Sequence, residues 1–188
     1  MNNTSQQRVS GSLRLELRGI VTFIVMIWVI FLLDRFLPLE RFALTPRQAS
    51  GIPGILLSPF LHKGLGHITS NTVPLTLLLL LLAGSRADSK KVVLTLILMS
   101  GTLLWLFGRP IPVVGASGLV FGLIGFMLAS GFFERRPLAI VVGGLVGFTY
   151  GSTVFWGILP GQKGISWDGH LYGVIAGVVC AWIFARAR

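Results

Sequence analysis

Six apolar stretches divide the sequence, Gly19–Leu37, His67–Ala83, Val92–Phe107, Ser117–Phe133, Leu138–Trp156 and His170–Phe184, with short polar or Gly/Pro-rich breaks between them. Several reach the roughly 17–25 residues of a spanning helix and the others fall marginally short. With 53% hydrophobic residues, a further 24 glycines among 188 positions and only 12% charged residues, the chain is more apolar than soluble domains, which are about 45–50% apolar. Water cannot be the main solvent for such a surface. The expected fold class is an all-α membrane protein, a bundle of six transmembrane helices. Cys180, the one cysteine, lies in an apolar run and has no intramolecular disulfide partner, which excludes a disulfide-stapled secreted scaffold.

Gly19–Leu37 is too long and begins too late for the apolar region of a signal peptide, so it is expected to be retained. Residues 1–18, polar and carrying Arg8, Arg14 and Arg18, read as a disordered cytoplasmic tail, and residues 19–188 as one membrane domain. The net charge of +10 would suggest nucleic acid in a soluble protein; here it first has to be checked for sidedness. An N-terminus in the cytoplasm puts ten bases inside (Arg8, Arg14, Arg18, Arg86, Lys90, Lys91, Arg135, Arg136, Arg186 and Arg188). Six fall outside (Arg35, Arg41, Arg47, Lys63, Arg109 and Lys163), four of them spread along one long first loop where charge counts for less. The basic residues are thus expected to face anionic lipid headgroups of a bacterial plasma membrane, with no nucleic-acid partner. Both termini are expected in the cytoplasm.

Polar residues inside the apolar stretches carry the functional information, because an ionisable group at mid-bilayer costs about 2.5–3.5 kcal/mol on insertion scales and is functional by default. His67, Asn71, Ser117 and His170 stand out. With the N-terminus inside, the second, fourth and sixth stretches all begin at the outer face, and each of these residues lies near the start of one of them. His67 and Asn71, four apart, share one helix face about 6 Å apart along the axis.

Ser117 follows Gly115-Ala116 and a loop, Gly108-Arg109-Pro110-Ile111-Pro112, that no helix can run through. The serine is therefore expected at a helix N-terminus, where unpaired N–H groups and the positive dipole end stabilise an oxyanion. Its base would be His170, with His67 and Asn71 as side-chain donors to the developing charge. Asp168, two residues before His170, points to another side of the helix, which argues for a Ser–His dyad over a triad. Packing accounts for some of this pattern: Gly118 and Gly122, and Gly169, Gly173 and Gly177 at every fourth position, suit close helix contact. Packing does not account for four polar groups arriving at one membrane depth.

At these residues the sequence resembles the rhomboid family of intramembrane serine proteases. The matches are His62-x4-His67-x3-Asn71 entering the second stretch, Gly115-x-Ser117-Gly118 entering the fourth, and Gly169-His170-x2-Gly173-x3-Gly177 entering the sixth. The resemblance implies Ser117 as nucleophile, His170 as general base, and an oxyanion hole of the Ser117 N–H with His67 and Asn71. Gly115, Gly118 and Gly173 support the site, and Phe121 falls where the family places an aromatic ring against the catalytic histidine. The family's first loop often carries a Trp-Arg pair in a membrane-embedded hairpin; here it has Pro46-Arg47 and no tryptophan. Composition and resemblance together make the fifth stretch and the loop Gly157–Trp167 a gate and cap.

The implied activity is hydrolysis of peptide bonds in or beside transmembrane segments of other membrane proteins, near the outer face, with no cofactor and no metal. Two other classes stay open. A non-catalytic rhomboid-like protein that binds and escorts membrane clients would share the scaffold without needing both Ser117 and His170. A proton-coupled transporter could use membrane histidines as a relay, but there is no obvious intramembrane acid and no pair of interrupted helices.

Overall fold

The computed structural model of the chain describes residues 3–85, 89–162 and 164–187. Arg86, Lys163 and Arg188, three of the bases assigned to a membrane side above, lie outside the described residues. Seven α-helices are described: α1 (Asn3–Leu33), α2 (Gly54–Leu57), α3 (Leu65–Ser85), α4 (Ser89–Phe107), α5 (Ser117–Glu134), α6 (Pro137–Gly157) and α7 (Trp167–Arg186). All but α2 contain a segment long and apolar enough to cross a membrane. Each apolar stretch becomes one helix, because a segment in lipid has to close its own backbone hydrogen bonds. The breaks fall where helix propagation fails. α4 stops at Phe107, before Gly108, Pro110 and Pro112, α5 ends on Arg135 in the left-handed region (φ 51°), and α6 opens with Pro137 in its first turn, where a missing N–H costs nothing.

Residues 3–18 differ from the expected disordered tail, for they continue α1 back to Asn3. Nothing in this segment is a proline, and extending an existing helix adds one hydrogen bond per residue without a new nucleus. The α1 extension is tied to the bundle, since Ser89 Oγ at the start of α4 donates to the Glu16 carboxylate.

α5 is the central helix. Leu119, Leu123, Ile124, Phe126 and Met127 on it are buried together with Leu75, Leu78 and Leu82 of α3 and Leu96 of α4. Lipid tails are as apolar as leucine, so helices associate in a membrane through close packing. α5 and α7 meet backbone to backbone. A Cβ on Gly173 would stand 2.4 Å from the Gly118 carbonyl oxygen, and one on Gly177 2.2 Å from that of Gly122. This contact sets His170 of α7 beside the first turns of α5.

The first loop, 34–64, is more ordered than a reading of six helices and little else allows. It holds 3-10 turns at Leu39–Phe42, Ala49–Gly51 and Ser58–Phe60 besides α2, elements too short to leave a periodicity. Leu44 and Val113 exchange backbone hydrogen bonds at 3.0 and 2.8 Å. Arg47, at φ 59°, donates from its backbone N–H to the Trp105 carbonyl (2.9 Å) and from Nη1 to the Gly108 carbonyl (2.7 Å). Trp105 Nε1 donates back to the Gln48 carbonyl at 2.9 Å. The tryptophan missing from the loop sequence is thus supplied by α4, which docks against Pro46-Arg47 and holds the loop over the C-terminal end of α4 and the segment that leads into α5.

Candidate active site

Ser117 is the first residue of α5, with Ala116 as its N-cap, so the N–H groups of the opening turn lack intrahelical partners. Gly115 brings the chain there at φ +117°, and a Cβ on it would lie 2.6 Å from His67 Nε2; only glycine meets both demands. The first loop anchors this backbone. Gly115 N–H donates to the Ser58 carbonyl at 2.9 Å, and Ala116 N–H approaches His62 Nε2 at a long 3.5 Å. His62 is 2% exposed. Burial, and next the neighbouring His67 whose ring centroid is 5.1 Å away, outweigh the Phe60 carbonyl and lower its pKa to about 4. His62 is therefore neutral near pH 7, which leaves it able to accept from Ala116.

His170 sits in the first turn of α7, and its ring lies flat on Phe121, with centroids 4.0 Å apart and planes 5° off parallel. Its Nδ1 is 2.9 Å from the carbonyl oxygen of Gly157, the last residue of α6. Asp168 turns elsewhere. Its carboxylate accepts from the Arg109 backbone N–H (2.8 Å), from Arg109 Nη2 (3.0 Å) and from Ser166 Oγ (2.9 Å). The Arg109 guanidinium also lies over the Trp167 ring at 5.1 Å. This cluster ties the loop that leads to Ser117 to the start of the helix that carries His170.

His67, Asn71, Ser117, Phe121 and His170 line one cavity of about 930 Å³. Ser117 and His170 face it with no hydrogen bond between them among the described residues; nucleophile–base contacts commonly close only around substrate. Asn71 Nδ2 donates to the His67 carbonyl at 2.9 Å, which leaves its second amide hydrogen for the cavity. Gly118 and Gly173 meet at the α5–α7 contact behind the serine. The structure thus brings all the singled-out polar side chains to one chamber. It adds three participants that sequence reasoning missed. Arg109 was counted only as a loop base, His62 only as part of a motif, and the Gly157 carbonyl leaves no mark in a sequence because every residue has one.

The chamber combines a serine at a positive helix end, an imidazole with one nitrogen already bound, and polar side chains from a third helix. Comparison with known proteins agrees with this grouping. Residues 50–187 match the family described as Rhomboid domain. An uncharacterized protein of Mycobacterium tuberculosis (strain ATCC 25618 / H37Rv) is 36% identical over 180 residues, covering 88% of this chain and 74% of that protein. An uncharacterized protein of Mycobacterium leprae (strain TN) is 33% identical over 178 residues, covering 88% of this chain and 70% of its own length.

Proposed function

The chain belongs to the rhomboid family and is an integral multi-pass membrane protein, and from that premise we propose that it is an intramembrane serine protease working through a Ser117–His170 dyad. The observation that carries this reading is the shared chamber: Ser117 at the N-terminus of α5 and His170 held against Phe121 both line it. In the proposed reaction Ser117 Oγ attacks a peptide carbonyl while His170 Nε2 takes its proton. The imidazolium then protonates the leaving amine, and water, activated by the same histidine, hydrolyses the acyl-enzyme. The oxyanion is stabilised by the Ser117 N–H and by His67 and Asn71.

Substrates are transmembrane segments of other proteins. A helix hides its carbonyls in i to i−4 bonds, so a substrate has to unwind before attack, and helix-breaking glycine or proline near the cleaved bond favours it. Entry is proposed between α3 and α6, since Val73 and Pro74 of α3 and Tyr150 and Thr153 of α6 all line the cavity. Both termini are placed in the cytoplasm, with the chamber opening to the outer side and basic loop ends resting on lipid headgroups.

The deciding experiment incubates the purified protein in detergent with a generic transmembrane substrate and, separately, with a fluorophosphonate. Wild type should cleave and label, and Ser117→Ala should do neither while staying folded, because it removes one hydroxyl. His170→Ala should likewise be inactive. Cleavage retained by Ser117→Ala overturns the assignment, and a wild-type protein that neither labels nor cleaves favours a non-catalytic membrane-client binder.

A further inference from the structure

We infer that the backbone carbonyl of Gly157 orients the His170 imidazole in the place an acid takes in a triad, and that α6 thereby couples opening of the cavity to readiness of the base. The catalytic half of this inference rests on the protease reading above; the orienting half rests on geometry. A carbonyl only accepts, so at 2.9 Å the hydrogen belongs to His170 Nδ1, and the neutral ring is held as the Nδ1–H tautomer with its lone pair on Nε2. The last carbonyls of a helix lack intrahelical partners, and those of α6 are shared out. Val154 accepts from Ile158, Trp156 accepts from Leu159 and from the Gln162 side chain, and Gly157 accepts from His170. Position 157 has to be glycine for this. A Cβ there would stand 2.4 Å from Phe121 Cζ and 3.3 Å from His170 Nδ1, so a side chain would lever the end of α6 off the stacked rings.

α6 is also loosely held. Its only buried residues are Gly143 and Val146, while Phe148, Phe155 and Trp156 are exposed. It packs mainly on α5 and touches α3 and α7 sparingly. Moving the C-terminal half of α6 away from α3 widens the cavity at Tyr150 and Thr153 and in the same motion withdraws the Gly157 carbonyl from Nδ1. A chamber open for entry therefore has an unoriented base, and closure of α6 on the substrate restores it.

The chain has three histidines, so protein labelled with 15N-histidine gives three imidazoles, and that of His170 is identified by its loss in His170→Gln. The expected neutral form of His170 in wild type is the Nδ1–H tautomer. A dominant Nε2–H tautomer overturns the orienting role whatever the enzyme does. Gly157→Ala should lose the Nδ1–H preference and lower kcat about 10²-fold, the order that a 1 Å misplacement costs, with KM little changed. Gly151→Ala, whose Cβ meets nothing within 4 Å, should keep the wild-type tautomer and rate. If Gly157→Ala folds poorly, the α-hydroxy analogue of Ile158 makes the Gly157 carbonyl an ester, a weaker acceptor of the same shape, and the same loss is expected. Because it also removes the Ile158 N–H that bonds Val154, its control is the α-hydroxy analogue of Leu159, which removes an N–H bond to Trp156 but leaves the Gly157 carbonyl an amide and should keep the wild-type tautomer. Unchanged tautomer and kcat in Gly157→Ala or the Ile158 analogue overturns the coupling. An Nδ1–H tautomer in a protein that cleaves nothing leaves the orienting role standing and sinks the protease reading instead.

Discussion

His67 and Asn71 separate a graded contribution from an essential one. Removing one side-chain donor from an oxyanion hole costs about 10²–10³ in turnover where the hole depends on it, yet the Ser117 N–H remains in either variant. His67→Ala and Asn71→Ala are expected to cleave slowly; wild-type rates in both would make these residues structural. Asp168 has the opposite character. Its carboxylate is engaged by Arg109 and Ser166, so Asp168→Asn should loosen the loop before Ser117 and lower the rate modestly, with the shape of the pH–rate profile unchanged. A shifted profile with a loss of several orders of magnitude would make Asp168 a triad member and the dyad wrong. Which way each of these side chains turns was not legible in the sequence. Spacing excluded Asp168 from the face of His170, but its partner Arg109 lies 59 residues away.

At the scale of elements, the first loop fixes the approach to the nucleophile, and His62 is its most sensitive member. An unfolded chain has this histidine titrating at about 6.5, whereas in the fold burial and then His67 lower it to about 4. Between those values the unfolded state binds more protons, so stability rises with pH there and is lost as pH falls from about 6.5 towards 4. The shift corresponds to on the order of 3 kcal/mol. Thermal unfolding in micelles at pH 7 and pH 4.5 is expected to show a large drop for wild type and a smaller one for His62→Gln. Equal drops would remove His62 from this role. The helices themselves were readable, because length, apolar content and proline breaks are local properties. The short turns of the first loop were not, since three or four residues carry no period, and the disordered reading of residues 3–18 failed because polarity without a proline does not stop the extension of an existing helix.

The whole molecule has one orientation to test. Cys180 is buried, so single introduced cysteines report sidedness against a quiet background. Gln162→Cys, between α6 and α7, is expected to react with a membrane-impermeant thiol reagent on intact cells, and Arg136→Cys, between α5 and α6, only after permeabilisation. The reverse pattern would invert the proposed topology and put the chamber on the cytoplasmic side. Class, number of spans, their order and the motif residues that reach the chamber were determined by sequence alone, because each follows from hydropathy, helix period or spacing within a few positions. Tertiary structure alone decided that α4 lends Trp105 to a loop without tryptophan, that Arg109 claims Asp168, and that the Gly157 carbonyl, 13 residues before His170, holds its imidazole. Those contacts join backbone groups common to every residue or side chains as far as 59 positions apart, and only the packing of α4 on the first loop and of α5 against α6 and α7 brings such groups within hydrogen-bond reach.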